Sequence, residues 1–245
     1  ARRLDAHAAL VSIGLCSDGY SQFDRASNQA SYRDPLTNRQ IDLHWALSVV
    51  PELACRLSFA EIEAAAMALV TPVGARAPGR VHALIHAVIH FHAHLPKADR
   101  PAIWLYDMVL LARGFDARGW AAVDAAVGRA QLAGLHAAAL DEAQRWFALD
   151  VPAGLLQKWQ QLGKHECTSA WAVPDPAPRQ RLLRSLTCLP TMQQRLAYLA
   201  ARLFPSPEWM RGRYAASTGL QLARAYLRRW ARGMRQTLSA GGHDA

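Results

Sequence analysis

Gln40-Ile41-Asp42-Leu43-His44-Trp45-Ala46-Leu47 decides the fold class, because its alternation is strict: Ile41, Leu43, Trp45 and Leu47 share one side of an extended chain, and Gln40, Asp42 and His44 share the other. It reads as a β-strand with one buried and one polar face. Just before it, Arg33-Asp34-Pro35-Leu36-Thr37-Asn38 is dense in turn formers. Residues 20–32 are mostly polar, with Phe23 and Tyr32 interspersed, so a hairpin near residues 20–47 is expected. Further upstream, Leu4, Ala8, Val11 and Leu15 stand at helical spacing with Gly14 where a C-terminal cap belongs, which predicts a short opening helix.

Beyond Pro51 the period changes to three or four. A helix is expected over 59–70, with Ser58 as N-cap and Glu61 at capping-box spacing. Others follow over 81–95, 101–113, 120–132 and 135–147, with breaks at Pro96, Gly114 and Gly134. Pro174, Pro176 and Pro178 mark a linker or rim loop, and Pro205-Ser206-Pro207 separates a helix over 190–203 from a last one over 218–238. The expected class is α+β and predominantly helical. Three regions follow from this reading: a head over 1–50, a helical region over 51–171 and a basic helical region over 172–245.

The 245 residues are 51% hydrophobic, enough for a core and too many for a disordered chain. The net charge of +9 is local: 12 Arg and a single acid, Glu208, lie between Pro176 and Arg235, while the rest holds 16 basic and 18 acidic residues. General affinity for nucleic acid is therefore not implied. No stretch is apolar enough to span a bilayer. Cys16, Cys55, Cys167 and Cys188 show no CxxC pairing, and the opening residues lack a signal-peptide core. A reduced cytoplasm is the expected location.

Asp42 is the first candidate for chemistry. A strand that holds a carboxylate beside others is how two-metal phosphoryl-transfer sites bind Mg²⁺, which takes oxygen ligands. The same spacing also fits a hairpin whose polar face, Asp42 and His44 included, only meets solvent. His82, His86, His90 and His94 stand four apart, with His92 between the last two. The HExxH form is absent, since Ala87-Val88-Ile89 leads to His90, so a structural or substrate-lining role for His86 and His90 is preferred to a zinc site. Trp104-Leu105-Tyr106-Asp107-Met108-Val109-Leu110-Leu111 reads as a buried helix with one embedded acid. A buried Asp107 requires a His or Arg partner. The last helix sets Leu220, Ala223, Leu227, Trp230 and Met234 against Arg224, Arg228, Arg232 and Arg235, a basic amphipathic pattern. It suits phosphate or an anionic surface, or simply a helix docked on the bundle with its arginines in water.

Taken in order, Ile41-Asp42-Leu43-His44-Trp45, the His-rich helix, Trp104-Leu105-Tyr106-Asp107 with Leu110-Leu111, Arg195-Leu196, Leu203-Phe204-Pro205-Ser206-Pro207 and Tyr226-Leu227-Arg228-Arg229 resemble the bacterial uncharacterised nucleotidyltransferase family, of the DNA polymerase β-type superfamily. The resemblance runs through nearly the whole chain. It implies a small mixed-sheet head followed by a large helical region, and transfer of a nucleoside monophosphate from an NTP to a hydroxyl acceptor with Mg²⁺. In such heads an Asp-x-Asp pair and a third carboxylate on a later strand bind the metal. Asp42 matches the third; His44 and Trp45 belong to the same motif without an assigned role. The Asp-x-Asp pair would precede the opening helix, and these residues contain none. The head is thus expected to be a remnant, and the 245 residues alone catalytically incompetent. Two other readings stay open: a non-catalytic module that binds a protein partner of a polysaccharide or peptide-modification system, and a membrane-peripheral binder of anionic surfaces through the last helix.

Overall fold

The computed structural model describes residues 2–17, 28–48, 50–93, 101–172, 178–189 and 191–239. Residues 20–27 of the expected hairpin, and His94 at the end of the histidine series, lie outside the described residues. Contacts divide the chain into two units, Ala1–Val49 with Ala177–Ala245, and Val50–Pro176. The architecture is α+β and mostly helical, with small antiparallel sheets of three and two strands.

In the first unit, α1 (Arg2–Ser12) leads to a sheet in the order β1 (Cys16–Ser17), β2 (Gln29–Arg33), β3 (Gln40–His44). The β2–β3 turn follows from its residues. Asp34 accepts from the Leu36 amide at 2.9 Å and the Thr37 hydroxyl at 2.5 Å, and Asn38 adopts the left-handed φ of 57° that Asn tolerates. The register pairs Ala30 with Leu43, Ser31 with Asp42 and Tyr32 with Ile41. Burial does not fall where the alternation of β3 placed it. Tyr32 and Ala30 of the central strand are buried, whereas Ile41 on the edge strand is 45% exposed. The apolar face is covered from α1: His7 Nδ1 and the Tyr32 hydroxyl share a 2.7 Å hydrogen bond, and the Arg3 guanidinium lies 5.2 Å from the Trp45 ring centre.

The same unit contains α9 (Pro178–Cys188), α10 (Met192–Leu203), α11 (Pro207–Tyr214) and α12 (Gly219–Ser239). Thr191 and Gln194 form a complete capping box at the start of α10. Helix α12 is anchored by Ala225, which is buried, by the Tyr226 hydroxyl donating to Pro205 O at 2.5 Å, and by Trp230 Nε1 donating to Leu203 O at 2.7 Å. The apolar stripe that amphipathicity would dock on a bundle is instead largely outside: Leu220, Leu227 and Met234 are all exposed.

The second unit runs from α2 (Pro51–Ala54) and α3 (Phe59–Ala64) through the hairpin β4 (Met67–Ala68), β5 (Arg76–Ala77) to α4 (Arg80–Ala93), α5 (Ala102–Ala112), α6 (Ala117–Ala130), α7 (Ala133–Phe147), α8 (Leu155–Gly163) and a 3₁₀ turn over Cys167–Trp171. The helix expected over 59–70 stops at Ala64, and Met67–Ala68 pairs back onto Arg76–Ala77 across the Pro72 and Gly74 turn. Ser58 does cap α3, accepting from the Glu61 amide at 3.1 Å. The Glu61 carboxylate turns instead to Arg129 at 3.3 Å. Leu84, Ile85, Val88, Met108, Val123, Leu135 and Leu140 fill the core, with α7 packed against α4, α5, α6 and α8. Asp124 of α6 joins this core to α8, accepting from Trp159 Nε1 at 2.9 Å and from Lys158 Nζ at 2.5 Å.

His136 sits inside this core, fully buried, with Nδ1 2.8 Å from Leu132 O. Its ring is therefore neutral with the proton on Nδ1, and burial pushes its pKa down to about 4. The folded value lies below the unfolded one, so as pH falls the unfolded chain takes its proton first. The stability held at neutral pH is lost from about pH 6.5 downward and levels off below about pH 4. Between about pH 7.5 and about pH 5 this amounts to about 2 kcal/mol. Urea unfolding at the two pH values measures it, and His136→Leu should lose that part of the slope.

Candidate functional site

Asp42 stands on the polar face of β3, opposite Ser31 in the register, with Gln40 and His44 two residues to either side. Ser31 Oγ donates to Asp42 Oδ1 at 2.6 Å, and Gln40 Nε2 donates to the same oxygen at 3.0 Å. These two bonds hold the Asp42 carboxyl below the usual carboxylate range, with the nearby His44 adding to the effect against a small opposing contribution from burial. The result is an exposed, ionised carboxylate whose Oδ1 accepts both hydrogen bonds. Beside it, Arg33 Nη1 donates to Asn38 Oδ1 at 2.8 Å, which fixes that guanidinium at the turn end of the same face.

This donor set fits a hard divalent cation through one ligand. A carboxylate oxygen is what Mg²⁺ takes, whereas the His44 imidazole is a nitrogen donor that Mg²⁺ does not favour. Among the described residues, no group of three or more His, Cys, Asp or Glu side chains is placed to hold a metal ion. The alternation already put Gln40 on the face of Asp42, whereas Ser31 was not singled out by sequence; the signal that finds it is the hairpin register, which sets Ser31 across from Asp42. If Ser31 acts by stabilising the carboxylate, Ser31→Ala should move the Asp42 titration to higher pH. A ¹³Cγ shift titration reads this directly.

The other candidates lie elsewhere. His86 and His90 of α4 are half-buried, their ring centres 6.3 Å apart, and His90 meets the Trp104 ring of α5 edge-on at 4.7 Å. His92 is buried on another side of α4, with Nε2 3.0 Å from Leu135 O, a tie to α7. His82 is 3.8 Å from Glu61. The histidines thus spread over several contacts within the second unit. Asp107, expected to be buried and paired, faces solvent on α5 between the buried Leu105 and Met108, because a single helix position separates the core side from the wet side. Arg224, Arg228, Arg232 and Arg235 are exposed on α12.

The exposed aspartate thus stands on a small antiparallel hairpin, and a helical array follows it in sequence. The family follows from comparison: the model of an uncharacterised nucleotidyltransferase family matches residues 3–148, and the chain belongs to that family. The match spans α1 through α7 and ends short of α8, a narrower extent than the motifs after Arg195 had implied. No curated protein and no solved structure matches the chain.

Proposed function

We propose that this chain takes part in nucleotidyl transfer from an NTP to a hydroxyl acceptor with Mg²⁺, and that Asp42 supplies one carboxylate to the metal. Family membership over residues 3–148 carries the reading. The state of Asp42 supports it, since an oxygen anchored by Ser31 and Gln40 leaves the carboxylate charged and oriented at neutral pH. In the reaction the acceptor oxygen bonds to Pα as the Pα–O–Pβ bond breaks, pyrophosphate leaves with the electron pair, and the hydroxyl proton goes to solvent. A bound divalent cation supplies neutralisation of the charge that develops on the phosphates. Because its pKa is lowered, Asp42 is a better ligand than base.

One carboxylate does not hold two divalent ions. Residues 1–245 by themselves are accordingly proposed to be inert in transfer, with the remaining ligands supplied by an Asp-x-Asp segment in the family pattern. The experiment is a transfer and binding assay with each α-³²P NTP and Mg²⁺ on residues 1–245 and on the full-length gene product. Label transfer or Mg²⁺-dependent NTP binding by the full-length product is the expected result. Neither activity in the full-length product overturns the reading.

A further inference from the structure

Beyond the proposed transfer, the C-terminal helix carries a surface with its own chemistry. Leu220, Leu227 and Met234 recur every seven residues on α12 and are 66%, 60% and 61% exposed. On a helix rising about 1.5 Å per residue they make an apolar line roughly 20 Å long. Exposed Arg224, Arg228 and Arg235 run beside that line, and α12 contains no acid. Leu203 and Phe204, 49% and 61% exposed, extend the apolar area next to Trp230, whose ring meets Phe204 edge-on at 5.3 Å. An open groove of about 770 Å³ continues it, walled by Leu199, Leu203, Trp230 and Met234 together with Arg202 and Arg232.

We infer that this face of α12 docks on an anionic bilayer surface, with Leu220, Leu227 and Met234 entering the headgroup–acyl boundary and the arginines meeting lipid phosphates and carboxylates. Charge complementarity selects the occupant. An exposed apolar line flanked by Arg on a helix without acids matches the interfacial pattern, in which aliphatic side chains enter the boundary and long basic side chains reach back to the headgroups. A second copy of the chain is disfavoured, since facing two α12 helices would set Arg224, Arg228 and Arg235 against their own counterparts. Nucleic acid is disfavoured because the centre of the face is aliphatic, and the Trp230 indole N–H is committed to Leu203 O. The helix need not fold on arrival. Its opposite side is already held through Ala225, Tyr226 and the Arg229 Nη2 bond to Arg202 O at 3.2 Å.

Vesicle flotation of the full chain tests this with phosphatidylcholine alone and with about 30% phosphatidylserine added. The anionic vesicles should bind at least about tenfold more protein. Leu220→Glu with Leu227→Glu should lose that binding, as should Arg224→Gln with Arg228→Gln, while far-UV dichroism and the melting midpoint stay at wild-type values. Both pairs change exposed positions, so a folding defect is separable from a binding defect. Failure to float with phosphatidylserine overturns the proposal, and so does flotation unchanged by the Leu pair. A concentration-dependent dimer abolished by the Leu pair, without vesicle binding, overturns it in favour of a self-interface.

Discussion

Asp42→Asn is expected to reduce the proposed nucleotidyl transfer by about 100-fold or more, with thermal stability near wild type. The size follows from what the substitution removes. Even outer-shell partners of a metal site typically cost roughly 10- to 100-fold, and a ligand carboxylate does more than orient another ligand. Asn has the shape of Asp and can still accept from Ser31 Oγ and Gln40 Nε2 through its carbonyl oxygen, so the hairpin keeps both bonds. The charge is lost. Stability changes little because Asp42 is exposed. Its lowered pKa gives a contribution present above the unfolded carboxyl pKa and lost as pH falls through the folded value, so the Asn variant should differ from wild type least in acid. Calorimetric titration with NTP and Mg²⁺, beside the transfer assay, separates loss of metal-dependent binding from loss of turnover. Equal turnover in wild type and Asn variant would remove Asp42 from the site.

Much of the first unit was legible because its signals are local. Turn formers at Asp34 to Asn38 and the extended period through Gln40–His44 act within a few residues, and the turn and the strand appear there, although the burial expected of the strand does not. What escaped depends on partners distant in sequence. The support of Asp42 by Ser31 required the register. Amphipathicity reported that α12 has an apolar face, but not whether anything covers it. The pattern around Asp107 looked uniformly apolar because α5 carries Ile103 and Leu110 on its exposed side as well as Leu105 and Met108 in the core. Helix α8, although it buries Trp159, was not foreseen. Its nine residues carry too short a period to stand out without α7 beside them.

Gly134 is the sharpest case, since it reads as a break between helices and is instead inside α7, where it lets α8 approach. The second large effect follows from that contact: Gly163→Ala should destabilise the unit Val50–Pro176 by about 3 kcal/mol and lower its melting midpoint by roughly 10 °C. A methyl on Gly163 would stand 2.5 Å from Gly134 Cα and 2.8 Å from Gly134 N. Both are backbone atoms, so no side chain can turn aside to admit it; α7 and α8 must separate. Separation also strains the hydrogen bond across the junction from Gly134 N–H to Glu166 Oε2, at 3.0 Å. Gly128→Ala in α6 supplies the opposite sign. Nothing lies within 4 Å of its added methyl, so removal of chain freedom from the unfolded state should raise stability by about 0.5 to 1 kcal/mol. Denaturant titration of the two variants side by side is decisive, because both gain one methyl in a helix and differ only in what that methyl meets. If Gly163→Ala matched Gly128→Ala, the close backbone approach of α7 and α8 would contribute nothing to the stability of the helical unit.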